Sequence, residues 1–305
     1  MSIYSLSTMW WVGRFNRAAD FVSAAQSLGF DKIELNPQVT PEMLQEVLAL
    51  VDAGKVEISS VHAPCPAWKG PGTVPELSAL DEGERVAAVG IIKDAVDLAK
   101  RVGASAVVVH SGRVDAGVDQ ERALRQLFDR GEKGTAAYQR LMRDLIRERA
   151  AVRRSHLDAT ARSLAEVQEY ARRIAPDGTV KIGLESRYHY YEVPLVDEMQ
   201  TLLGSLDPAI SCYWHDVGHA HNLEVLGFQA HEEWLKLLGP RMLGIHLHDA
   251  VLTADHRPVG TGEIDFRMVM GYVPRQTIRV CEFNSSWPYE AVEAAFRKLK
   301  DLRFL

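Results

Sequence analysis

Short apolar runs alternate with longer amphipathic stretches from one end of the chain to the other. Eight runs read as strands: Ile3–Ser7, Lys32–Leu35, Val56–Val61, Ala106–His110, Val180–Glu185, Ile210–His215, Leu243–Leu247 and Thr277–Glu282. Most are continuously apolar, the pattern of strands covered on both faces in a parallel sheet. The intervals carry helical spacing. Ala18, Phe21, Val22, Ala25 and Leu28 share one face, and Gly29 follows as a stop signal. Thr40-Pro41-Glu42 opens a second helix with a capping threonine and a proline at the first helical position. Glu84–Val102 is a third helix, closed by Gly103, and Trp287–Leu299 is the last. Strand and helix alternating eight times predict an α/β fold, a closed (β/α)₈ barrel spanning residues 1–305 as one domain.

One interval is too long. Between His110 and Val180 lie 69 residues, where a single crossover unit needs about 30. The segment 119–173 is helical in pattern, has no proline, and is broken only by Gly131 and Gly134. It reads as a helical insertion between strands four and five, outside the barrel or over its mouth. Residues 140–154 carry six arginines against Asp144 and Glu148. The plainer reading is a solvated helix face; the sharper one is a patch facing an anionic substrate.

Composition narrows the class. Hydrophobic residues at 47% and charged residues at 25% supply one sizeable core in an ordinary globular chain. A net charge of −6 gives no global attraction to nucleic acid or acidic membranes, so neither is an expected partner. Self-association into a homo-oligomer is left open. The three cysteines, Cys65, Cys212 and Cys281, form no C-x-x-C pair and sit in or beside apolar runs, as buried free thiols do. The chain shows neither a signal-peptide pattern nor an apolar run of ~18 residues, so a cytoplasmic location is expected.

In such a barrel, residues at the C-terminal strand ends converge on one mouth. Four consecutive strands end in metal-ligand types: Glu185, then Asp216, then His246, then Glu282. Any one of these has a dull explanation, as a helix cap or an arginine partner. Four in register are harder to assign to chance. Three carboxylates around one point repel unless a cation sits among them, and with an imidazole they form an oxygen-rich set suited to Mn²⁺, Mg²⁺, Co²⁺ or Zn²⁺. His62, His110, His219 and His256 point to the same mouth, where they are expected to bind substrate or a second metal. A lone histidine is more often structural; here position raises the weight of function. Trp10, Trp11, Trp68, Tyr188, Tyr190 and Trp287 fall near strand ends, either as pocket walls or as core.

The chain resembles the xylose-isomerase-like TIM barrel superfamily, which includes sugar phosphate isomerases and epimerases and a related endonuclease IV branch. The motifs that carry the resemblance are Gly29-Phe30-Asp31-Lys32-Ile33-Glu34-Leu35, Val61-His62-Ala63-Pro64, Glu185, Asp216-Val217-Gly218-His219, His246-Leu247-His248-Asp249, Gly260-Thr261-Gly262-Glu263-Ile264-Asp265-Phe266 and Glu282. It implies one divalent metal on Glu185, Asp216, His246 and Glu282. Glu185 and Glu282 would then move a proton on a small sugar-like polyhydroxy carbonyl substrate through an enediolate, and His219 would contact a substrate hydroxyl. Related lyase or dehydratase chemistry begins with the same proton abstraction. The endonuclease IV branch instead implies a metal-dependent phosphoester hydrolase with further ligands at His62, His110, His219 and His256. One aspartate of that pattern, two residues before His256, is Ala254 here, and the adjacent Asp255 is expected to point elsewhere.

Overall fold

The computed structural model describes residues 4–302; Ile3, placed above in the first strand, lies outside them. The strands are β1 (Tyr4–Ser7), β2 (Lys32–Leu35), β3 (Glu57–His62), β4 (Ala106–Val109), β5 (Lys181–Glu185), β6 (Ser211–Asp216), β7 (Met242–Leu247), β8 (Asp249–Val251), β9 (Ala254–Arg257) and β10 (Ile278–Cys281). Eight of them close a barrel in the order β1-β10-β7-β6-β5-β4-β3-β2, every pair parallel. The eight expected strands are these eight, with ends moved by a residue or two. Between β7 and β10 the sequence reading missed an antiparallel hairpin, β8–β9.

Period-two alternation assigns each strand residue to the barrel interior or to the helix layer. On β6, Tyr213 and His215 face outward, where Tyr213 stacks with Trp234 and His215 meets His231. Trp214 and Asp216 face inward. Trp214 packs inside the barrel with Ala106, Val108 and Val280. Its indole is accommodated by glycines on both flanking strands. A Cβ at Gly244 would lie 2.1 Å from the ring, and one at Gly183 2.9 Å from it. The Trp214 ring sits 5.2 Å below that of His246 and forms the floor of the mouth.

The predicted helices form with the expected faces. Ala18–Leu28 buries Ala18, Phe21, Val22, Ala25 and Leu28 and ends on Gly29 at φ 95°. The Thr40 side chain caps the helix Pro41–Asp52. The long interval holds two helices, Val118–Asp129 and the 39-residue Ala136–Ile174, separated at Gly131 and Gly134. The far half of the longer helix returns along the helix Glu82–Val102, with Tyr170 donating to Asp97 at 2.7 Å.

Its arginines are mostly matched by carboxylates. Arg147 meets Asp144, Arg153 meets Asp197, and Arg154 meets Asp158. Arg149 is buried and binds both oxygens of Glu198 at 2.6 Å. It also donates to the backbone of Glu192, while Glu121 accepts from the backbone of Tyr190 and Tyr191. Through these bonds the two helices hold the loop that follows β5. Among the described residues, no helix is long and apolar enough to cross a membrane.

Candidate functional site

Inward-facing positions at the C-terminal strand ends bring Glu185, Asp216, His246 and Glu282 together, all buried. His246 Nδ1 lies 2.9 Å from Glu185 Oε1, 3.5 Å from Asp216 Oδ2 and 3.3 Å from Glu282 Oε2. Its other nitrogen, Nε2, faces Glu34 at 3.1 Å. Glu34 is fully buried on β2 and accepts from Ser60 Oγ at 2.7 Å. Glu34 stands in the motif spanning residues 29–35 without an assigned role; its signal in the sequence is an acid flanked by Ile33 and Leu35 within a strand.

The flanking histidines complete the mouth. His110 and His62 approach Glu185 Oε2 at 2.6 and 3.1 Å. His219 Nδ1 lies 3.7 Å from both Glu185 and Asp216, and it donates to the Ser186 carbonyl at 2.9 Å. Asp216 caps the helix Val217–Leu226 by accepting from the His219 backbone, which explains the three-residue spacing between them. His248, also unassigned in the sequence reading, approaches Asp216 Oδ1 at 3.0 Å and stacks on His256 at 4.4 Å.

Burial and charged neighbours compete on Glu185, Asp216, Glu282 and His246. Burial raises the pKa of Glu185, but His110, His246 and His62 outweigh it and hold the carboxyl well below its usual range. Asp216 is likewise held well below its usual value by His219 and His248 against burial. Burial opposes ionisation of Glu282 too, yet His246 and His256 bring it down to about 2. Burial would lower His246, but Glu282, Glu34 and Glu185 raise it well above the usual histidine value. His110 goes the other way, to about 4, because burial and then Arg187 outweigh Glu185. The cluster is a concentration of buried carboxylates interleaved with imidazoles.

The hairpin overturns one expectation. Asp255 does not point elsewhere: it, His219 and His256 place ligand-type atoms within 4.8 Å of one another. The backbone beside it is unusual: His256 adopts φ 54°, a left-handed conformation. The aromatic expectations divide. Trp10 and Trp11 are core, Trp11 stacking on Phe21 at 5.0 Å. Tyr188 packs edge-on against His219 at 5.7 Å, and Trp287 lies under the Arg257 guanidinium at 4.9 Å. All three cysteines are buried and free.

Two large cavities are informative. One of about 840 Å³ opens among N-terminal strand residues such as Lys32 and Glu57, at the end of the barrel away from the cluster. Another, of about 730 Å³, reaches the cluster at His110 and Arg187.

The sequence matches the model of a family described as xylose isomerase-like TIM barrel over residues 22–138. No curated protein shows a sequence match. Among solved structures, a D-tagatose 3-epimerase-like protein is similar at 18% identity and a TM-score of 0.68, covering 98% of this chain and 96% of that one. A D-allulose 3-epimerase from Methylomonas sp. in complex with D-allulose is similar at 15% identity and 0.67, over 98% and 96%. The IolI protein with a bound zinc atom is similar at 14% and 0.64, over 98% and 97%. At these identities the likeness is one of fold.

Proposed function

We propose that this xylose-isomerase-like TIM barrel is a divalent-metal-dependent isomerase or epimerase acting on a small sugar-like polyhydroxy carbonyl compound. The supporting observation is the convergence of Glu185, Asp216 and Glu282 on His246 Nδ1 within 3.5 Å, in a buried mouth. Three buried carboxylates and an imidazole are a donor set that fits Mn²⁺, Mg²⁺, Co²⁺ or Zn²⁺, because a dication offsets charge that burial makes costly. Such a cation would supply Lewis acidity at the substrate's carbonyl oxygen. Glu185 and Glu282 come from strands separated by β6 and β7 and so flank the substrate position. One takes the proton from the carbon beside the carbonyl, and the other returns it through the enediolate. Both are held ionised, as a base must be. His62, His110 and His219 contact substrate hydroxyls. The whole chain acts as one cytoplasmic domain, with residues 119–173 as its helical extension.

The structural neighbours support this reading: several are named for epimerases of tagatose, allulose and ribulose, and one holds zinc. A second reading has its own observation. The set His219, Asp255 and His256 offers a further metal position, which favours a phosphoester hydrolase of the endonuclease IV type. One experiment separates them. The Mn²⁺-loaded protein is incubated with D-fructose, D-tagatose and D-allulose in D₂O, and metal is counted per chain. One metal and deuterium at carbon 3 support the epimerase. Two or three metals with cleavage of bis(4-nitrophenyl) phosphate support the hydrolase and sink the first reading.

A further inference from the structure

The 730 Å³ cavity beside the cluster is larger than the proposed chemistry requires. Sites for whole small molecules run ~300–1,000 Å³, and this one lies to the side of the carboxylates. It meets the reaction centre only at His110 and Arg187. Away from there its walls are mostly apolar, with Ala67 and Trp68 after β3, Leu77, and Ala88, Ile91 and Ile92 on the helix Glu82–Val102, interrupted by Gln38, Thr73 and Glu76.

Two side chains in its lining carry buried donors without an acceptor. Arg187 is 8% exposed, and its Nε and Nη1 have no hydrogen-bond partner, while Nη2 donates to Glu192. The nearest carboxylate to Nη1 is Glu185 Oε2, at 4.0 Å. Trp68 Nε1 is also buried and unpartnered. The indole is tightly seated, because a Cβ at Gly70 would lie 2.0 Å from it. Buried donors are costly to leave unpaired, so each marks a place in the lining where an acceptor atom can bind.

Charge decides what kind of acceptor. The lining holds two carboxylates, Glu76 and Glu192, against the single guanidinium of Arg187. The charge of that guanidinium is already paired with Glu192 through Nη2, and Arg113 lies 3.6 Å from Glu76. A phosphate or carboxylate entering here would face Glu192 and Glu185 with no uncommitted cation in the lining. An ether, hydroxyl or carbonyl oxygen can accept from Arg187 and Trp68 without that repulsion.

We infer that the cavity holds the part of the substrate that is not turned over: an uncharged apolar substituent, joined through oxygen to the sugar-like part at the Glu185 end. The substrate class is then a neutral sugar-like carbonyl compound with an apolar substituent joined through oxygen, such as a glycoside whose ring carries a ketone, and a sugar phosphate is disfavoured. The sugar-like half of this statement rests on the function proposed above; the cavity half does not.

The test uses the full chain loaded with Mn²⁺ and two kinds of probe. Calorimetry compares phenyl and methyl β-D-glucopyranoside, and saturation-transfer NMR compares benzyl alcohol with benzoate. Burying a phenyl ring favours the phenyl glucoside by about 10- to 100-fold. Ile91→Trp fills the cavity from its helix wall and brings the phenyl compound to the affinity of the methyl one. Ala88→Leu intrudes from the same helix and serves if the tryptophan variant does not fold. Trp68→Phe keeps the apolar face, removes the donor, and weakens the phenyl glucoside several-fold. Benzyl alcohol binds and benzoate does not. Equal affinity for the two glucosides, a preference that survives both filling variants, or benzoate binding as well as benzyl alcohol overturns the assignment. If neither glucoside binds but benzyl alcohol does, and Ile91→Trp abolishes it, the cavity assignment stands and the sugar reading fails.

Discussion

His246 Nε2 lies 3.1 Å from Glu34 Oε1, so the ring is held from behind and presents Nδ1 to Glu185, Asp216 and Glu282. A carboxylate behind a metal-binding imidazole fixes its tautomer and strengthens it as a ligand. Glu34→Ala should therefore weaken Mn²⁺ binding by ~10–100-fold while the barrel stays folded. Competition with a chelating dye, alongside circular dichroism, measures both. Unchanged metal affinity would leave Glu34 as a packing residue only.

Glu185→Gln and Glu282→Gln keep side-chain volume at the mouth and should each lower turnover by ~10²–10⁴-fold. Loss of metal would mimic that result, so the deciding measurement is solvent deuterium uptake by variants shown to retain metal. A metal-loaded variant that exchanges at the wild-type rate would assign the proton transfer elsewhere, with His219 the nearest alternative.

Gly244→Ala tests the floor of the mouth. The new methyl would lie 2.1 Å from the Trp214 ring, too close to be absorbed without moving either β7 or the indole. Overpacking of this kind costs about 1–3 kcal/mol, read as a lower melting temperature. Because His246 follows Gly244 by two residues on the same face, metal affinity should fall as well. Gly271→Ala, where nothing lies within 4 Å, is the control.

Outside the mouth, a buried pair makes stability depend on pH. Tyr213 donates to His215 Nδ1 at 2.6 Å, and His215 Nε2 meets His231 Nε2 at 2.9 Å, an arrangement that needs both rings neutral. Burial, and then His221, lower the His231 pKa to about 3. Between that value and the usual 6.5, the unfolded chain binds a proton at this position that the folded chain refuses. The contribution is thus complete above pH 6.5 and is lost as pH falls toward 3, at up to about 1.4 kcal/mol per pH unit. Urea unfolding of the wild type and of His231→Gln across pH 4–7 should show the shallower slope in the variant. Parallel slopes would contradict the assignment.

Strands and their inward-facing ends were legible because burial on both faces writes long apolar runs, and an acid or histidine closing such a run stands out. Glu185, Asp216, His246 and Glu282 could be read that way. Glu34 could not, since a lysine two residues before it breaks the apolar run of its short strand and its partner His246 is more than two hundred residues away. Arg187 was hidden because it sits among polar loop residues, and only the cavity behind it distinguishes it. The hairpin β8–β9 escaped because its residues, Asp249 to Arg257, are mostly polar and carry no alternating pattern. The arginines of the long helix were legible as a charged face, but Arg149 turns inward to Glu198.

The hairpin between β7 and β10 uncouples the order of residues along the chain from the direction in which they act. Beside the left-handed backbone of His256, Asp255 brings its carboxylate to His219 and His256, although the pattern expects the acid one step earlier, at Ala254. Comparing such chains column by column would count a missing acid here and infer a lost capacity. In space the acid is still beside His219, delivered from a neighbouring address.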